Sequence, residues 1–146
     1  MLKKLVATRA PAAVVLIRLV VGAVFLSEGL QKFLFPADLG PGRFAKIGLP
    51  APDFLAPFVG TFEITCGALV LLGLLTRFAA LPLIVIMLVA IASTKVPLLL
   101  HKGLWVAAHE ARVDWSMLLG SIFLLIVGAG RLSLDRLLGP ASGERR

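Results

Sequence analysis

Four stretches of this 146-residue chain are long and apolar enough to cross a lipid bilayer, and they limit its fold more than any other feature. A membrane helix needs about 20 mostly apolar residues. Such runs fall at roughly residues 11–35, 54–75, 78–100 and 115–130; the last is the shortest, and Val113 and Leu132 extend it towards the interface. None alternates apolar with polar as a barrel strand does. Composition closes the soluble alternative: 59% of residues are hydrophobic, against only 15 Lys+Arg and 8 Asp+Glu. A water-soluble domain needs more charge than that to cover its surface. The sequence predicts an all-α polytopic membrane protein, a four-transmembrane-helix bundle with short interfacial helices in its two outward loops. Residues 1–138 read as one domain, and 139–146 as a flexible basic tail.

The distribution of positive charge sets the expected orientation. With four spans both termini lie on one side, and that side holds Lys3, Lys4, Arg9, Arg77, Arg131, Arg136, Arg145 and Arg146. The other side holds Arg43, Lys46, Lys102 and Arg112, with Lys32 and Lys95 near its interface. The positive-inside rule then places both termini in the cytoplasm. Lys3, Lys4 and Arg9 precede an apolar run as in a signal peptide, but Arg18 interrupts that run and no A-x-A site follows, so it reads as an uncleaved first helix. The net charge of +7 is scattered between apolar blocks rather than gathered in a stripe, so nucleic acid is not an expected partner. Cys66 is the only cysteine. An internal disulfide or CxxC pair is therefore excluded, and any redox role requires a bound cofactor or a partner.

The connections carry their own signals. Residues 36–53 are rich in Pro and Gly and predict an interfacial turn of helix around Phe44 and Ile47, framed by Pro41 and Pro50. Residues 101–113 set His101, Trp105, His109 and Arg112 on one helical face, a pattern suited to headgroup depth. Spans two and three are joined by Thr76-Arg77 alone, which requires a tight antiparallel hairpin. Asp38, Asp53 and Asp114 stand where N-caps are expected. Pro82 and Pro97 are expected to kink or end the third helix. His101 and His109 lie two turns apart with no cysteine or carboxylate pair to complete a ligand set, so no metal site is expected. Cys66 reads as a small core residue.

Ionisable side chains at membrane depth cost about 2.5–3.5 kcal/mol each on insertion scales, so each demands a partner. The first span holds Arg18, Glu28 and Lys32, with Ser27 and Gln31 beside them; the second holds Glu63. Glu28 and Lys32 are spaced for an i, i+4 pair. Arg18 lies about 15 Å along the axis from Glu28 and roughly 80° around it, too far to pair within the helix. Gly60 and Gly67 share a stripe with Glu63, a small-residue seam that admits a close neighbour. The expectation is that Glu63 meets Arg18 or Lys32. Three readings of the cluster stay open: an ion-pair staple between helices, a site for the polar head of a lipid-soluble molecule such as a quinone or for a small anion, and a proton path through Glu63 and Glu28.

The first span, RLVVGAVFLSEGLQKF, resembles the opening of the DoxX family of small four-helix bacterial membrane proteins, with Arg18, Gly22, Phe25, Gly29 and Lys32 at the family's spacing. Residues 48–80 resemble that family's second span in their Gly-Leu-Pro approach, Glu63, Gly67 and closing Thr76-Arg77. GAGRLSLDRLL (128–138) resembles its terminal glycine-rich turn followed by Ser-x-Asp. The resemblance implies a four-helix protein of the bacterial cytoplasmic membrane, in a family often labelled as oxidoreductases, whose relatives include the DoxD subunit of thiosulfate:quinone oxidoreductase and components of thiol-stress complexes. It implies a membrane subunit of an oxidoreductase system, working with a protein partner or as a homo-oligomer. Such a subunit would hold a non-covalent quinone-like or small sulfur-containing ligand near Arg18, Glu28, Lys32, Glu63 and Arg77, with no residue marked as catalytic. The competing expectation is a non-enzymatic scaffold or assembly protein whose charges only staple helices.

Overall fold

The computed structural model describes residues 10–138; the basic tail 139–146 and Lys3, Lys4 and Arg9 lie outside the described residues. Every regular element among the described residues is helical. They are α1 (Val14–Leu34), α2 (Pro41–Lys46), α3 (Pro52–Leu72), α4 (Thr76–Ala90), a π-helical turn (Ile91–Lys95), α5 (Val96–Lys102), α6 (Leu104–Val127) and α7 (Leu134–Leu138). Helix α4, the π-turn and α5 run on as one 27-residue rod, Thr76–Lys102. That rod, α1 and α3 are each long and apolar enough to cross a membrane. Helix α6 has the length too, but carries Glu110, Arg112 and Asp114 in its first half.

Helices α1 and α3 form the tightest pair in the molecule, antiparallel and in constant register. Glycines make this possible. Gly22 lies against Gly67, and Gly29 against Gly60, two turns further along each helix. A β-carbon on Gly29 would stand 2.7 Å from the Gly60 carbonyl oxygen, and one on Gly67 only 2.7 Å from the Leu26 amide nitrogen. Lipid offers no hydrophobic drive for helix association, so this close van der Waals contact carries the pairing. Helix α6 packs on α4, and the α3–α4 hairpin joins the two pairs.

The hairpin turn is Gly73-Leu74-Leu75, not Thr76-Arg77, which instead open α4. Gly73 takes the left-handed conformation that ends α3, and Leu75 follows in it with φ of 49°. A leucine held there is strained, and its amide is gripped by Asp135. The core lies towards this hairpin end, built from Val21 and Phe25 of α1, Cys66 and Val70 of α3, Ala79 and Leu83 of α4, and Met117 and Leu124 of α6. Beyond Leu83 no residue of the α4–α5 rod is fully buried, and its far end packs on α6.

At the far end the two connections differ. The first forms the expected turn of helix: α2 starts on Pro41 and buries Phe44 while packing on α3. In the second, residues 104–113 belong to α6 itself, because Gly103 (φ 84°, ψ 172°) is the one break in the helical path. That break separates His101 from Trp105, His109 and Arg112, so the four do not share a helical face. Neither Pro82 nor Pro97 ends the rod. The π-turn directly before Pro97 opens the backbone where the proline has no N–H to give. There the Ser93 and Thr94 hydroxyls donate to the Val89 and Ala90 carbonyls at 2.8 and 2.6 Å. Asp38, Asp53 and Asp114 make no capping bonds, and Asp114 lies inside α6.

Candidate functional site

Lys32 and Glu63 meet across the α1–α3 seam. The Lys32 ammonium stands 2.6 Å from Glu63 Oε2, with side chains 10% and 3% exposed. Gly29 and Gly60 bring the backbones close enough for this reach, so the ion pair depends on the seam. Lys32 also donates to the Glu28 carbonyl oxygen at 3.4 Å. The expected Glu28–Lys32 side-chain pair does not form, because Glu63 takes the ammonium in a drier setting. Glu28 is exposed, and among the described residues its carboxylate has no ion-pair partner. Ser27 and Gln31 follow on the same helix, joined by a 2.8 Å bond from Gln31 Nε2 to Ser27 Oγ.

Arg18 and Arg77 stand at the hairpin end, with Arg18 about 20 Å along α1 from Lys32. Arg18 is 3% exposed. Its Nε donates to the Val70 carbonyl at 2.9 Å and Nη2 to Leu71 at 2.6 Å, while Nη1 donates to the carbonyls of Ala129 (3.2 Å) and Leu132. The last carbonyls of a helix lack intrahelical partners. Arg18 thus closes the C-terminus of α3 from another helix and ties down the glycine turn after α6. Arg77 does the same for α6, donating from Nη2 to Ile126 at 3.1 Å and Val127 at 3.4 Å.

Asp135 supplies the opposite cap. It is 1% exposed, and its two oxygens accept from the Leu75 and Thr76 amides at 2.6 and 3.1 Å. Its own amide donates to the Gly73 carbonyl at 2.8 Å. The carboxylate therefore caps the positive N-terminal end of α4 and holds Leu75 in its strained conformation. Its role is not evident from local sequence, since it lies some sixty residues from the helix it caps. A second pair absent from the sequence expectations is Lys95–Asp114, 3.3 Å apart, which clasps the π-turn to α6. The demand for a partner made by a lysine at membrane depth was its signal.

An apolar groove of about 390 Å³ lies between α3 and α4, lined chiefly by Phe62, Thr65, Cys66, Leu69, Phe78 and Leu81. Neither Lys32 nor Glu63 lines it. Phe54, Phe58 and Phe62 ladder along the exposed face of α3, with ring centres 5.7 and 5.0 Å apart. No group of three or more potential metal ligands occurs among the described residues.

An all-helical bundle with buried charges engaged in helix caps and in ion pairs between its helices defines a small polytopic membrane protein. More narrowly, the DoxX family model matches residues 13–102, and the chain belongs to the DoxX family. It is 55% identical over 141 residues to "Uncharacterized membrane protein Rv3486" of Mycobacterium tuberculosis, covering 92% of this chain and 86% of that protein. It is 32% identical over 120 residues to "Putative oxidoreductase CatD" of Bacillus subtilis, covering 82% of each. No solved structure matches the chain.

Proposed function

We propose that this chain is the membrane subunit of an oxidoreductase system and presents a polar strip on α1 to the head of a quinone-like or small sulfur-containing ligand. The observation that carries the reading is Glu28, an exposed carboxylate on a membrane-spanning helix, beside the Lys32–Glu63 pair. A charge at that depth is costly unless something meets it. Lys32 is placed to donate to a ligand carbonyl, and Glu28 to accept from a hydroxyl or thiol, while Glu63 holds the ammonium in position. The name of the Bacillus relative supports the redox context. Arg18 and Arg77 close the opposite end of the bundle and lie outside this strip. The reading includes a bacterial inner-membrane location, cytoplasmic termini and a protein partner along the Ser27–Gln31 edge.

The test is titration of the protein in nanodiscs with a short-chain quinone and its quinol, read by tryptophan fluorescence. Saturable quenching is expected, weakened at least tenfold by Glu28→Gln or Lys32→Met. Quenching unchanged in both variants removes the ligand site. A second reading, a scaffold whose charges only join helices, is favoured by Arg18, Arg77 and Asp135, which all hydrogen-bond to backbone groups. It predicts no saturable quenching at all.

A further inference from the structure

The segment after α6, residues 128–138, is fastened to the hairpin end at three points. Arg18 holds the Ala129 and Leu132 carbonyls, the Asp135 carboxylate holds the Leu75 and Thr76 amides, and the Asp135 amide holds Gly73. Ala129 is buried and Ser133 half-buried, but the leucines and arginines of the segment face outwards. Leu132, Leu137 and Leu138 are 61%, 78% and 70% exposed, and Arg131 and Arg136 are exposed between them. Among the described residues neither arginine forms an ion pair. The one acid in the segment is Asp135, which is buried and fully engaged. Among the described residues, the outer face therefore offers leucines and positive charge together, with nothing covering either.

We propose that this strap is a seat for anionic phospholipids: Arg131 and Arg136 take headgroup phosphates while the three leucines enter the interface. Interleaved basic and apolar side chains suit that boundary, and each basic residue near an anionic surface adds to the attraction. A zwitterionic surface satisfies the leucines but leaves the arginines without counter-charge. Because the strap is bonded to α1, to the end of α3 and to the start of α4, headgroup binding stabilises the whole bundle. This inference is independent of the α1 ligand strip, and its test uses symmetric bilayers, so it does not rest on orientation.

The full chain is reconstituted in nanodiscs of phosphatidylcholine alone or mixed with phosphatidylglycerol, and thermal unfolding is followed by circular dichroism. Phosphatidylglycerol is expected to raise Tm by about 5 °C at low salt, and the rise collapses in high salt. Arg131→Gln/Arg136→Gln loses most of the rise while keeping its Tm in phosphatidylcholine. Arg43→Gln/Lys46→Gln, at the far end, keeps the rise. A wild-type Tm indifferent to phosphatidylglycerol, an undiminished rise in the strap variant, or an equal loss in the far-end variant each overturns the proposal.

Discussion

Glu63 sits at a depth where a lone carboxylate is expensive, and its ion-pair partner among the described residues, Lys32, comes from the neighbouring helix. Removing one partner of such a pair strands the other, whereas removing both leaves apolar surface in an apolar place. Glu63→Gln is therefore expected to lower stability in mild detergent by about 3 kcal/mol. The double variant Lys32→Met/Glu63→Met is expected to recover most of that loss in the same denaturation assay. A double variant as unstable as the single would mean that stranded charge is not the cause. At this scale the sequence was legible for Glu63, because a buried acid and a cation one helix away have few other options. It was misleading for Arg18. Its acceptors are main-chain carbonyls freed where α3 and α6 end, and charge matching between side chains gives no view of those.

At the scale of helices, the glycine seam converts sequence into packing. Its two sides are not equally tolerant. A methyl on Gly29 meets the Gly60 carbonyl at 2.7 Å, and backbone cannot step aside without parting the helices. A methyl on Gly60 meets the ring of Phe33 at 2.9 Å, an exposed side chain that can swing away, with the opposing carbonyl further off at 3.3 Å. Gly29→Ala is thus expected to cost about 2 kcal/mol, as overpacking does, and Gly60→Ala less than half as much. Equilibrium unfolding of the two variants checks the order. The seam on α3 could be read directly from Gly60 and Gly67, because small residues at helical spacing are a local signal. The π-turn could not. Pro97 announces a disturbance, but its form depends on hydroxyls at Ser93 and Thr94 finding the carbonyls of Val89 and Ala90. The start of α6 was also hidden, since residues 104–113 look too polar to continue a span until their helix is seen to run unbroken into it.

For the molecule as a whole, the hairpin end and the far end are chemically unlike. Arg77, Arg131 and Arg136 gather at the first; Arg43, Lys46, Lys102 and Arg112 lie at the second. Cytoplasmic placement of the hairpin end is tested in a Cys66→Ser background with single cysteines. Ala45→Cys is expected to react with a membrane-impermeant maleimide in intact cells, and Leu137→Cys only after permeabilisation. The reverse pattern would invert the topology. The four-helix plan was legible because apolar length is measured against a fixed membrane thickness. The way its ends are closed was not, because caps drawn from distant residues leave no periodic trace.

Those caps have a bearing on how the chain is assembled. Arg18 is among the first residues of α1 to be made, yet two of its four acceptors, at positions 129 and 132, are among the last described. The α1–α3 pair has its partners as soon as residue 72 is inserted. The clasp that completes it waits until residue 132 has left the ribosome. Until then a guanidinium bound for the interior stays half-provided for, and nascent chains halted before residue 129 are the ones that quality-control proteases should recognise.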